Sequence, residues 1–164
     1  MFRVICVAGL AILLAGCRDE PVVTVPDLDS IPTGLTVTYS PPLVEAKQAG
    51  RSGFRYTWTY STSVATTGAP VTIEEFGALG WVNGEWIFRD ENHKNFSAKQ
   101  FSEQYNCPKA KVLSGKTYTC DDIWSGADQL RPYRCKWYFI GTDERGRRVK
   151  GEAIIEELPR LKKG

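Results

Sequence analysis

The residues able to do chemistry in this chain are few and scattered. Its one histidine, His93, lies in the polar run Asp90-Glu91-Asn92-His93-Lys94-Asn95. A Ser-His-Asp triad would have to use it, but no Gly-x-Ser-x-Gly elbow accompanies it. There is no Cys-x-x-Cys pair for zinc and no glycine-rich phosphate loop. Asp121, Asp122 and Asp128 share one stretch, and oxygen ligands of that kind can coordinate calcium, though the spacing is not that of an EF-hand and solvated loop charge is the default reading. Glu74-Glu75 and Glu156-Glu157 are adjacent pairs. In strands, neighbouring side chains point to opposite faces, so neither pair suits the acid/base work of glycoside hydrolysis. The chemistry therefore points to recognition rather than turnover, with no cofactor and no metal expected.

Two features can serve recognition. The stretch Asp121 to Pro132 reads as a long loop that holds Trp124 and Gly126 between charged residues. A rigid aromatic there can anchor an interface, or it can simply cover the end of the core. Asp121 and Asp122 flank it. The second feature is basic: Arg145, Arg147, Arg148 and Lys150 near the end of the chain, with Arg134 and Lys136 on the preceding strand. Such charges can face anionic lipid head groups or an anionic polysaccharide, and they also protect sheet edges. With 21 basic and 19 acidic side chains, the net charge of +2 argues against bulk binding to nucleic acid.

The elements that must position these residues are strands. Leu35, Val37 and Tyr39 alternate with polar residues before Pro41-Pro42. Phe54, Tyr56, Trp58 and Tyr60 alternate more strongly, as the inner face of a sheet does. Asn83-Gly84 between apolar runs signals a tight hairpin, with Trp81 and Trp86 flanking the turn. Ser97 caps a short helix that places Phe101 and Tyr105 on one face. Tyr133, Cys135, Trp137 and Phe139 alternate with Arg134 and Lys136. A turn at Asp143-Glu144-Arg145-Gly146 leads into a last strand. About seven short strands and one short helix predict an all-β, antiparallel β-sandwich over 34–158 with an immunoglobulin-like terminal hairpin. Tyr56, Trp58, Trp137 and Phe139 are its expected core. Residues 159–164 form a basic tail.

The N-terminus has a different composition. Arg3 precedes an apolar segment, Val4 to Leu14, and small residues lead to Cys17, which is the layout of a secretory signal peptide. The segment is too short to span a membrane, which takes about 20 apolar residues. Leu14-Ala15-Gly16-Cys17 resembles the lipobox of bacterial lipoproteins. The resemblance covers residues 1–17. It implies removal of 1–16, a diacylglycerol on the Cys17 sulfur and an acyl chain such as palmitate on the new amine. It also implies a membrane-anchored chain facing the periplasm or the exterior, on the outer membrane if the source is Gram-negative. Only Arg3 is charged in the lost segment, so the charge falls from +2 to +1. Residues 17–33 then form a tether. Arg18 to Thr33 carries Pro21, Pro26 and Pro32, and an extended chain of that length reaches roughly 50 Å.

Export places the domain where disulfides persist. With Cys6 removed and Cys17 lipidated, Cys107, Cys120 and Cys135 remain. A Cys120–Cys135 bond that closes the intervening loop is the favoured pairing, with Cys107–Cys120 as its competitor.

Ser114-Gly115-Lys116-Thr117-Tyr118 resembles the Ser-Gly-x-x-Tyr motif of bacterial lysozyme inhibitors, several of which are small β-rich lipoproteins. The resemblance covers five residues and implies that Ser114 and Tyr118 enter the lysozyme cleft. The reading of the whole chain is a lipid-anchored, non-catalytic binding or assembly module of the bacterial envelope. Its partner would be an envelope protein or polysaccharide, in addition to the membrane. A lysozyme inhibitor and a carboxylate-dependent envelope hydrolase are the alternatives.

Overall fold

From Trp58 to Val64, every second side chain turns inward, so Trp58, Tyr60, Thr62 and Val64 are all buried. This stretch belongs to strand β3 of a two-sheet, all-β fold. The computed structural model describes residues 24–48, 53–88 and 95–162. Its strands are β1 (Thr36–Ser40), β2 (Leu43–Ala46), β3 (Tyr56–Ala65), β4 (Val71–Val82), β5 (Glu85–Phe88), β6 (Phe96–Ser97), β7 (Lys111–Val112), β8 (Thr117–Ala127), β9 (Tyr133–Asp143) and β10 (Arg148–Leu161). One short helix, α1, covers Ala98–Gln104.

The smaller sheet runs β1-β3-β8 and the larger β2-β10-β9-β4-β5, with β6 and β7 also paired to β4. Their facing sides enclose the main core, where Trp58, Trp137 and Phe139 lie buried as expected and Tyr56 is half-buried at the margin. Phe76 stacks on Phe139 at 5.6 Å and on Trp137 at 6.2 Å. The Ser97 cap is present: its hydroxyl accepts the Gln100 N–H, and the Gln100 side chain accepts the Ser97 N–H at 2.9 Å. Helix α1 thereby seats Phe101 and Tyr105, ring centroids 4.5 Å apart, at the end of the core.

Four details differ from the sequence reading. First, the fold is not wholly antiparallel, because β2 pairs with β10 in parallel. Pro41-Pro42 carries the chain from the small sheet into the large one with no reversing hairpin. Second, packed structure is already present before residue 34. A 3-10 turn at Leu28–Ser30 packs on the outer face of the large sheet. Leu28 and Ile31 are buried there with Leu79, Phe88, Tyr138 and Ile140, forming a second small core. The prolines permit this because Pro32 needs only its carbonyl, which accepts the Lys150 N–H at 2.9 Å. Third, β10 continues through Pro159 to Leu161, so the first half of the expected tail is strand. Pro159 falls where the β10–β2 register shifts and pairing with β9 has ended, so its missing donor costs no ladder bond.

Fourth, Asp121 to Ala127 is strand β8 rather than loop. Tyr60 pairs with Ile123 and Thr62 with Cys120, so Asp121 and Asp122 together oppose Ser61 in a β-bulge. Strand β8 is the edge of its sheet, and exposed acidic residues are tolerated there.

Candidate functional site

Strands β4 and β5 close over Asn83 and Gly84, both at positive φ (51° and 91°), as a two-residue hairpin requires. The turn sets Trp81 directly opposite Trp86. Strand alternation puts both on the side of Leu79, which is the outer face of the large sheet, and Trp86 packs on the second core. Their rings meet edge-on, with centroids 5.0 Å apart.

Strand β9 lies beside β4 with Lys136 opposite Leu79 and Cys135 opposite Gly80. That register delivers Arg134 and Lys136 to the same outer face. The Arg134 guanidinium lies 5.8 Å from the Trp81 centroid and 5.9 Å from that of Trp86. The Lys136 ammonium stands 4.7 Å over Trp86 and 3.3 Å from Glu152. Each cation–π contact contributes about 0.5–1 kcal/mol at such a surface. Lys150 also reaches Glu152, at 2.8 Å. Burial works against the Glu152 charge, but Lys150 and Lys136 outweigh it and hold the carboxyl below its usual range.

This face ends in exposed apolar surface on both sides of one hairpin. Trp81 is 38% exposed, and on the opposite side of the same tip Val82 and Ile87 are 37% and 40% exposed. Ile154, across β9 from this corner and opposite Lys136, is 41% exposed. Arg134, Lys136, Trp81 and Trp86 were each legible as residues, but their meeting depends on the β4–β9 register, which local periodicity does not carry.

The residues singled out in the sequence are not gathered into one site. Trp124 is half-buried on β8, where its ring lies 6.4 Å from Phe54. It is an element of the small sheet and not the tip of a pinned loop. Asp121 and Asp122 are exposed in the bulge, and Asp128 accepts the Arg55 N–H at 3.2 Å. Among the described residues, no group of three His, Cys, Asp or Glu side chains is placed to hold a metal. Ser114 is exposed beside Thr67, whereas Tyr118 is half-buried against the core and directed at Cys107. The basic cluster is divided: Arg147 pairs with Asp143 at 2.8 Å and Arg148 with Glu75 at 3.7 Å, away from the tryptophans.

The expected Cys120–Cys135 disulfide is absent, and Cys107, Cys120 and Cys135 are not joined by any disulfide. Cys120 belongs to the edge strand of the small sheet and Cys135 to the interior of the large one. With β8 extending to Ala127, there is no long loop for the bond to close. Burial pushes the Cys107 thiol up to about 11 and raises that of Cys120 as well. Cys17 and His93 lie outside the described residues.

One carboxylate does sit in a cleft. Glu157 is 3% exposed and accepts the Ser125 hydroxyl at 2.6 Å. It lines a cleft of about 160 Å³ with Trp58, Arg131 and Tyr133. Its neighbour Glu156 points to the opposite face, as the alternation of β10 requires.

No family model matches the chain, and no curated protein matches it. Among solved structures it is similar to a crystal structure of a protein from Bordetella pertussis that carries the ApaA name provisionally. That match has 12% identity and a TM-score of 0.45, and it covers 82% of this chain and 98% of the other.

Proposed function

We propose that this chain is a lipid-anchored, non-catalytic binding module of the bacterial cell envelope, held by Cys17 and making contact through the β4–β5 hairpin. The observation that carries the reading is the hairpin tip, where exposed Trp81 and half-buried Trp86 share one face with Arg134 and Lys136. An aromatic pair bearing a guanidinium suits contact with an anionic or amphipathic envelope component. The lipobox residues Leu14 to Cys17 supply the anchor. A mass spectrum of the mature N-terminal peptide tests the anchor directly, and it should show acyl and diacylglyceryl mass on Cys17. Cys17→Ser should move the chain out of the membrane fraction. An unmodified N-terminus, or normal membrane partitioning of Cys17→Ser, would remove the reading.

A further inference from the structure

We propose that the component met by the β4–β5 hairpin is the phospholipid surface itself, so that the hairpin tip enters the head-group layer with the outer face of the large sheet tilted toward the bilayer. This rests on the lipid anchor proposed above and adds an orientation to it. The first argument is where the chain outside the described residues ends. Thr24 and Val25 enter on the outer face, with Val25 packed on the same small core as Trp86. Six residues separate Thr24 from Cys17, and the seven steps between them, at about 3.5 Å each, span at most roughly 25 Å. A lipid on Cys17 therefore keeps this face, rather than the small sheet, close to the head groups.

The second argument is the distribution of apolar surface. A sugar or a flat protein epitope covers one side of a hairpin. Here Trp81 and Trp86 occupy one side of the tip and Val82 and Ile87 the other, and all but the partly covered Trp86 are more than a third exposed. A surface into which the tip dips covers both sides at once. Tryptophan settles at the level of lipid head groups, with its ring against acyl chains and its N–H in the wet layer. The third argument is charge. Arg134 and Lys136 stand beside the rings, Lys136 also paired with Glu152, and cations so placed are drawn to an anionic leaflet. Glu85, exposed at the tip, restricts entry to the interfacial layer. Asn83 and Gly84 likewise leave polar backbone to be hydrated there.

The test uses the full-length, lipid-modified protein reconstituted into vesicles of phosphatidylethanolamine and phosphatidylglycerol carrying bromine-labelled acyl chains. Flotation reports the anchor, and quenching of tryptophan fluorescence reports the hairpin. Quenching is expected in the wild type, with most of it lost in Trp81→Phe/Trp86→Phe and none lost in Trp124→Phe. Arg134→Gln/Lys136→Gln should weaken it on these anionic vesicles and leave it unchanged on phosphatidylcholine. Flotation without quenching, or quenching that survives the double Phe variant, would overturn the orientation and leave the anchor standing. Failure to float would remove both. Hairpin fluorescence that responds to soluble peptidoglycan fragments and not to vesicles would also overturn the proposal.

Discussion

The indole N–H of Trp137 donates to the hydroxyl of Tyr60 at 3.1 Å, joining the centre of one sheet to the centre of the other. Tyr60 in turn points its hydroxyl at the Cys135 sulfur, 3.9 Å away. Both rings are buried. Tyr60→Phe preserves shape and removes the acceptor, leaving a buried donor without its partner. A loss of about 1–3 kcal/mol is expected in a urea unfolding curve. An unchanged midpoint would show that water replaces the hydroxyl.

Asp143 sets an acid limit at the β9–β10 turn. The backbone N–H of Arg147 is the main cause that holds its carboxyl below the ordinary 3.8, helped by the Arg147 side chain and the Arg145 N–H against a modest cost of burial. A carboxyl lowered in the folded state stabilises fully above its unfolded value, and that contribution is lost as pH falls through the folded value. Thermal melts between neutral and strongly acid pH should show the wild type losing this advantage. The gap between wild type and Asp143→Asn should close at the acid end. A gap constant with pH would assign the turn to the hydrogen bonds alone.

Gly141 allows β9 to pass the bulge in β4. A Cβ there would lie 2.2 Å from the Thr72 carbonyl oxygen, which is backbone and cannot step aside. Gly141→Ala should therefore destabilise by about 1–3 kcal/mol or more, measured by chemical denaturation. Gly84→Ala meets no neighbour within 4 Å and strains only its φ of 91°, so about 1–2 kcal/mol is expected.

The three thiols should resist alkylation while the protein is folded. Burial raises the thiols of Cys107 and Cys120, and Cys135 is fully buried, so little reactive thiolate is presented near neutral pH. Mass spectrometry after iodoacetamide should find all three modified only once the chain is unfolded. Non-reducing peptide maps should contain no linked pair among these three, and recovery of a Cys107–Cys120 or Cys120–Cys135 peptide would contradict the structure.

Local patterns in the sequence were sufficient for the parts of the fold that local physics decides. Asn83-Gly84 could hardly be anything but a tight turn, and Ser97 marked a helix start. The alternation around Trp58 and Trp137 identified the two inner faces. What escaped was set by distant partners. Asp121-Asp122 reads as loop until β3 supplies a ladder and the bulge absorbs the extra residue. Leu28 and Ile31 read as tether until the outer face of the large sheet offers Tyr138 and Ile140 to pack on. Likewise, Trp81 and Arg134 are 53 positions apart, and only the β4–β9 register brings them together.

The two-aspartate bulge on β8 has a consequence for how this sheet edge meets other copies of the chain. A straight, apolar edge strand at high local concentration would template polymerisation. Asp121 and Asp122 interrupt the ladder of β8 with two exposed carboxyls just where a second copy would dock. The same pair that weakens the strand signal in the sequence thus blunts the edge against strand-to-strand pairing with a second copy.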